Sequence, residues 1–319
     1  MLRLTKLMVN DMLGWLSKVD KLNVDIPVAN TVSIDKNKFP FDSILSGASI
    51  TNKQNEDSNQ DALATIRNHF QQFNAVIVAD GIGGLANGGD AARIAVKTAK
   101  ELLSSDISID ISEVFSKVQL CLRRETKPLI TNNKLDQFGT TLIIAIETDD
   151  RFIIGYLGNG SIYHIRGNFD KCWSESRPNP TCVANLLNPH SIQLDGKETL
   201  TGYLSPILLY EPSFIELHKD KTNGDILILT TDGLGSNDQI QLGKDGNGNW
   251  WCRTEMWLIE LLKNIKTGLN KENMSILLRN FLSEMKLNKK LDDDTTIGLI
   301  ITSRAISLIT SNSKENVKS

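Results

Sequence analysis

The sequence predicts an α+β protein in which antiparallel sheets are covered by helices. Three observations predict it. Six short β-rich runs crowd the middle of the chain. The three runs between residues 140 and 167 are separated by gaps too short for the crossovers that parallel pairing needs. Helical periodicity is confined to the stretch after a glycine-rich loop and to the C-terminal part, which does not alternate strand by helix as a βαβ protein would.

In chain order, residues 75–79 (AVIVA), 140–147 (TTLIIAIE), 151–158 (RFIIGYLG), 161–167 (SIYHIRG), 225–231 (DILILTT) and 295–302 (TTIGLIIT) are the strands. ETDDR is expected to close a hairpin between the second and third, and Gly158-Asn159-Gly160 to close another between the third and fourth. The first helix lies in DAARIAVKTAKELL, where Ala92, Ala95, Ala99 and Leu102 recur at helical spacing and Asp90 is placed to cap the start. WLIELLKNIK and MSILLRNFLSEMK are amphipathic in the same way.

At 319 residues with no Pro/Ser-rich linker or repeat, one globular domain over 45–303 is the simpler reading. Residues 1–44 form a leader whose first twenty read as an amphipathic helix, because Lys6 and Asp11 interrupt any signal-peptide core. Residues 304–319 read as a polar, flexible tail. Charged residues at 23%, apolar residues at 40% and a net charge of -3 describe an ordinary globule and argue against a nucleic-acid binder. No apolar run approaches the length of a membrane span. Cys121, Cys172, Cys182 and Cys252 form no C-x-x-C pair, so scattered thiols in a reducing cytoplasm are expected.

The chemistry concentrates in acids at strand ends. AVIVADGIGG sets Asp80 where an apolar strand meets glycines, and ILILTTDGLG repeats the arrangement with Asp232. One Asp-Gly is a common turn. Two at matching strand ends, with LDDDTTIGLII (Asp292, Asp293, Asp294) where a strand begins and Glu56, Asp57 and Asp61 upstream, suggest carboxylates gathered from remote segments. Gathered acids raise one another's pKa unless a cation lies between them, and hard oxygen donors select Mg²⁺ or Mn²⁺. With four histidines and none in a ligand pair, zinc is disfavoured. GIGGLA fits a loose dinucleotide loop, but Asp80 would repel a pyrophosphate and no acid ends a second strand about 20 residues on. DGNGNW opens like a calcium loop and fails at Trp250 and Met256.

These segments, in this order, resemble the protein phosphatase 2C family: SGASI…NQDA, VADGIGG with GGDAARIAV, FGTTLIIAI, LGNGSIYHIR, ILTTDGL and DDDTTIGLI. The opening pair looks closer to bacterial members. The resemblance implies a four-layer αββα sandwich, two antiparallel sheets flanked by helices. It implies a protein-serine/threonine phosphatase that hydrolyses phosphomonoesters with a metal-activated water, acting on phosphorylated protein and on neither nucleic acid nor membrane. Carried over by position, Asp80 bridges two Mg²⁺ or Mn²⁺ ions, Gly81 lends its carbonyl, and Asp232 and Asp293 complete the ligands. Asp293 is preferred to its neighbours because Thr296 then fills the motif's threonine. Asp61 is the opening acid, with Asp57 as the alternative.

The family's pattern is not met everywhere. Asn159 stands where many members have Asp, which weakens any third metal site. Ile82 replaces a histidine found in some animal members. The arginine that often holds the substrate phosphate has no clear counterpart, Lys53 and Arg67 being the candidates. Residues 168–215, rich in Pro, Asn and Ser, are expected to form loops near the site that set specificity. The alternative reading is a phosphatase-like binding or regulatory module that has lost turnover.

Overall fold

A computed structural model of the chain describes residues 42–52, 59–83, 85–105, 109–126, 137–167, 183–234, 241–244, 250–253, 256–269 and 273–315. Residues 37–319 form one compact unit. The leader's expected helix, Asp57, Lys53 and residues 245–249 of the calcium-like turn lie outside the described residues.

Two five-stranded sheets carry the fold. The first runs in the order β1 (Ile44–Ile50), β14 (Thr295–Ile301), β11 (Asp225–Thr230), β6 (Ser161–Arg166), β7 (Val183–Asn185). The second runs β10 (Ser213–His218), β5 (Arg151–Leu157), β4 (Leu142–Glu147), β3 (Phe73–Asp80), β2 (Asp61–Asn68). Every pairing in both is antiparallel. Two small ribbons accompany them, β8 (Ser191–Leu194) with β9 (Lys197–Leu200) and β12 (Gln241–Lys244) with β13 (Trp250–Arg253).

Three apolar layers explain why the sheets stack. Along β3, Ala75, Ile77 and Ala79 face helices α1 (Gly88–Ser104) and α2 (Ile111–Thr126), while Val76 and Val78 face the other sheet. Such a strand is buried on both sides, so it reads as a continuous apolar run and not as an alternation. Beneath the first sheet, Ile226, Ile228, Ile297 and Leu299 pack on α3 (Met256–Thr267), α4 (Met274–Leu287) and α5 (Ser303–Glu315). The result is the αββα sandwich that the family resemblance implies. Among the described residues no helix is long and apolar enough to cross a membrane.

Four expectations differ from the structure. Gly158–Gly160 closes no hairpin: β5 and β6 belong to different sheets, and the segment carries the chain across the sandwich. Short spacing shows that two strands are neighbours without showing that they pair. Asp90 is not the cap of α1, which starts at Gly88 after Asn87; it sits in the first turn and pairs with Arg93 at 2.7 Å. The stretch read as a flexible tail from 304 is helical through Glu315, because Ala305 and Ile309 at i, i+4 are buried against the first sheet. At the other end, Ile44 is in the core and Ser43 is fully buried, so the folded part starts slightly before residue 45.

Candidate metal centre

The antiparallel registers bring the acids to one end of the sandwich. Asp61 opens β2 and Asp80 closes β3, and the two are direct cross-strand partners. From the other sheet, β11 ends at Thr230 and β14 begins at Thr295 beside it, with Thr230 opposite Ile297. Asp232 and Asp293 therefore leave neighbouring strands at the same end. Asp292 N–H donates to the Gly233 carbonyl at 3.1 Å, fastening the two turns together. Asp80, Asp232 and Asp293 all line a cleft of about 410 Å³, with Ile82, Leu85, Thr141, Asn159, Glu198 and Tyr203 among its other walls.

Glycine at 81 is a packing requirement. A Cβ there would lie 2.3 Å from the carbonyl carbon of Gly88, so only glycine lets the start of α1 close on the strand end. Threonines hold the backbone of Asp80: Thr141 Oγ1 accepts from Asp80 N–H at 3.0 Å, and Thr140 Oγ1 and Thr141 N–H donate to its carbonyl at 2.8 Å each. This accounts physically for the Gly-Thr-Thr segment.

The three consecutive acids divide by exposure. Asp293 is exposed toward the cleft, whereas Asp294 is buried and accepts from Thr51 Oγ1 at 2.7 Å and from the N–H groups of Asn52 and Gln60 at 2.8 Å each. Asp294 thus clamps both ends of the segment that leads into Asp61. Its role went unread in the sequence, because a run of identical acids carries no sign of which one turns inward.

Asp61 lies behind Asp80, only 6% exposed. Its Oδ2 accepts from Thr231 Oγ1 at 2.8 Å, while the buried Oδ1 has no hydrogen-bond partner among the described residues. Burial, opposed by the hydrogen bonds of Thr231 and Thr296 and aided by the charges of Asp294 and Asp232, pushes its pKa up to about 7. Burial, then repulsion from Asp61 and Asp232, holds Asp80 well above the usual carboxylate range. Burial also raises Asp232, although Asp80 and the Asn159 amide donate to it. Asn159 Nδ2 reaches Asp232 Oδ2 at 2.9 Å.

Among the described residues no three His, Cys, Asp or Glu side chains are already arranged around one point to hold a metal ion. The acids instead contact one another, Asp80 hydrogen-bonding to Asp232. An all-oxygen donor set, a buried carboxylate oxygen without a partner, and acids that resist ionisation together are the chemistry a hard divalent cation completes. The residues present therefore fit such an ion. Among the described residues the cleft lining holds no lysine or arginine. Arg67 lies six residues along β2 from Asp61, roughly 20 Å at strand rise, and donates to the Ser43 carbonyl. It is not placed to hold a substrate phosphate at this cleft.

Of residues 168–215, the β8–β9 hairpin supplies Glu198, Thr199 and Leu200 to the cleft wall, with Tyr203 just beyond. Residues 168–182 lie outside the described residues, as do Cys172 and Cys182.

Residues 50–177 match the family model described as Protein phosphatase 2C. Among curated protein sequences none matches this chain. Among solved structures the fold is similar to that of the serine/threonine phosphatase Stp1 from Staphylococcus aureus, at 15% identity and a TM-score of 0.56, covering 81% of this chain and 95% of that one. It is also similar to the catalytic domain of the serine threonine protein phosphatase PstP in complex with two manganese ions, at 15% identity, a TM-score of 0.52 and coverage of 82% and 99%. A third is PppA of Pseudomonas aeruginosa, described as a key regulatory component of T6SS, at 17% identity, a TM-score of 0.53 and coverage of 82% and 100%. At these identities the likeness is one of fold.

Proposed function

We propose that this chain, a member of the protein phosphatase 2C family, hydrolyses phosphoserine and phosphothreonine in proteins by metal-dependent attack of water. The observation that carries this reading is the meeting of Asp80, Asp232 and Asp293 at one cleft, backed by Asp61, whose buried Oδ1 has no hydrogen-bond partner among the described residues. Asp80, the Gly81 carbonyl, Asp232 and Asp293 would hold two Mg²⁺ or Mn²⁺ ions, with Asp61 (or Asp57, outside the described residues) as the further acid.

The pair of ions supplies a water of lowered pKa and neutralises charge on the phosphoryl oxygens. The chain's own part is placement. Thr140 and Thr141 fix the Asp80 backbone, and Asn159 orients the Asp232 carboxylate through its amide. Ile82, Leu85 and Leu200 give the cleft apolar walls beside the acids. In the net reaction one P–O ester bond breaks and water's oxygen forms the new bond to phosphorus. The leaving alkoxide takes the water's proton, giving alcohol and inorganic phosphate. Nothing in this scheme needs a cysteine nucleophile, and Cys121 sits on α2, away from the cleft residues.

The test is Mn²⁺-dependent hydrolysis of p-nitrophenyl phosphate and of a phosphothreonine peptide. Chelator and Asp80→Asn should each abolish both activities. Full activity in Asp80→Asn overturns the assignment. A protein that binds Mn²⁺ and hydrolyses neither substrate supports the binding-module reading instead.

A further inference from the structure

We infer that His190, outside the acid cluster, is a positioning residue that sets Asn159 on Asp232 and anchors the β8–β9 hairpin at the cleft wall. The inference rests on the metal reading of the cleft proposed above.

His190 grips Gly158 at two points. Its backbone N–H donates to the Gly158 carbonyl at 2.9 Å, and its ring Nδ1 accepts from the Gly158 N–H at 3.1 Å. Gly158 is the residue before Asn159 and has φ +115°, a conformation that an L side chain rarely adopts. A two-point clamp on that residue fixes where the Asn159 amide points, and the amide points at Asp232 Oδ2. The ring itself is held firmly. Because Nδ1 is an acceptor, the proton of the neutral ring lies on Nε2 and is donated to Ser213 Oγ at 2.9 Å. One ring face stacks on Tyr156, with centroids 5.3 Å apart and planes 20° apart. Burial lowers the pKa of His190, which favours the neutral form this clamp requires.

The same residue fastens the hairpin. Ser191 begins β8, and the hairpin's exit returns to His190: Thr201 and Gly202 N–H groups donate to its carbonyl at 2.8 and 3.3 Å. Hairpin and site loop therefore share one anchor. Displacing it would release the Asn159 amide and the wall formed by Thr199 and Leu200 together.

The experiment compares His190→Ala, His190→Asn and His190→Gln in the full chain. Asn places an oxygen acceptor near the position of Nδ1, whereas Gln reaches only toward that of Nε2. Mn²⁺ affinity by calorimetry, kcat and KM on p-nitrophenyl phosphate, and the thermal melt in chelator are measured for each. Ala and Gln should weaken Mn²⁺ binding and lower kcat about tenfold, the usual scale for an outer residue of a metal site, with KM changed less. Asn should stay within about threefold of the parent on that same scale. Equal behaviour of Asn and Gln, or parental Mn²⁺ affinity in all three, overturns the inference. If Ala fails to fold, the Asn-versus-Gln contrast still decides it. A parent protein that neither binds Mn²⁺ nor hydrolyses substrate rejects the underlying reading and this inference with it. A fully active parent with unaffected variants rejects only the role of His190.

Discussion

Replacing Asp61 by asparagine should stabilise the metal-free protein at neutral pH while impairing its response to Mn²⁺. The unfolded carboxyl titrates near 3.8, whereas burial above all pushes the folded one up to about 7. The folded state thus holds its proton through a range where the unfolded state has lost it. By linkage, stability falls as pH rises between those two values and levels off above the upper one. At about 1.4 kcal/mol per unit, this one group would cost the metal-free fold about 4 kcal/mol by pH 8. For a domain of this size that is a melting shift of roughly 7 °C. Asp80 and Asp232 are raised as well and act in the same direction. The assay is a series of thermal melts in chelator from pH 5 to 8 for the parent and Asp61→Asn, repeated with Mn²⁺. The parent should melt lower at pH 8 than at pH 5, the variant should show a shallower slope, and Mn²⁺ should flatten the parent's slope. A parent slope that is flat or rising, or a variant slope identical to the parent's, would refute the reasoning.

Three further outcomes are expected. Asp225→Asn should cost about 3 kcal/mol at pH 7 in denaturant titration, because it breaks a buried group bonded to His164 and Arg166 at 2.8 Å each. Burial opposes ionisation of Asp225, but those partners and the Asp220 N–H outweigh it and lower its pKa, so the loss relative to the parent should shrink as pH falls below about 4. Asp294→Ala leaves three donors without their acceptor and should destabilise by at least about 3 kcal/mol, with Mn²⁺ affinity falling as the approach to Asp61 loosens; melts and calorimetry check both. Asn159→Asp replaces an amide donor to Asp232 with a like charge, so the chelated protein should melt lower and the difference should close on adding Mn²⁺.

Much of the site was legible because acids at strand ends are costly and conspicuous. Asp80 and Asp232 stand out by the repeated apolar run and Asp-Gly, and the antiparallel registers explain why such ends meet. Asp293 is singled out by motif resemblance, and the structure separates it from Asp294 by its place on the cleft and by the three hydrogen bonds that Asp294 accepts. What was not legible depends on long-range partners. β1, β2 and β10 escaped notice because they are shared between polar and apolar faces; β10 alternates half-buried and exposed residues at a sheet edge. Helix α2 lacked the alanine-rich stripe that announced α1. The role of the Gly158 bend required knowing that β5 and β6 lie in different layers, which local spacing cannot reveal. Likewise His190 carries no sequence signal, since its partners are Gly158 and Ser213, one of them a backbone group.

Because Asp61 and Asp80 come from one sheet while Asp232 and Asp293 come from the other, the acidic cluster spans the seam of the sandwich. Whatever neutralises it is also a rivet between the two layers. Any movement that parts the two layers at that end would by linkage oppose occupancy there, so a ligand that tightens one half against the other would raise ion affinity without touching an acid.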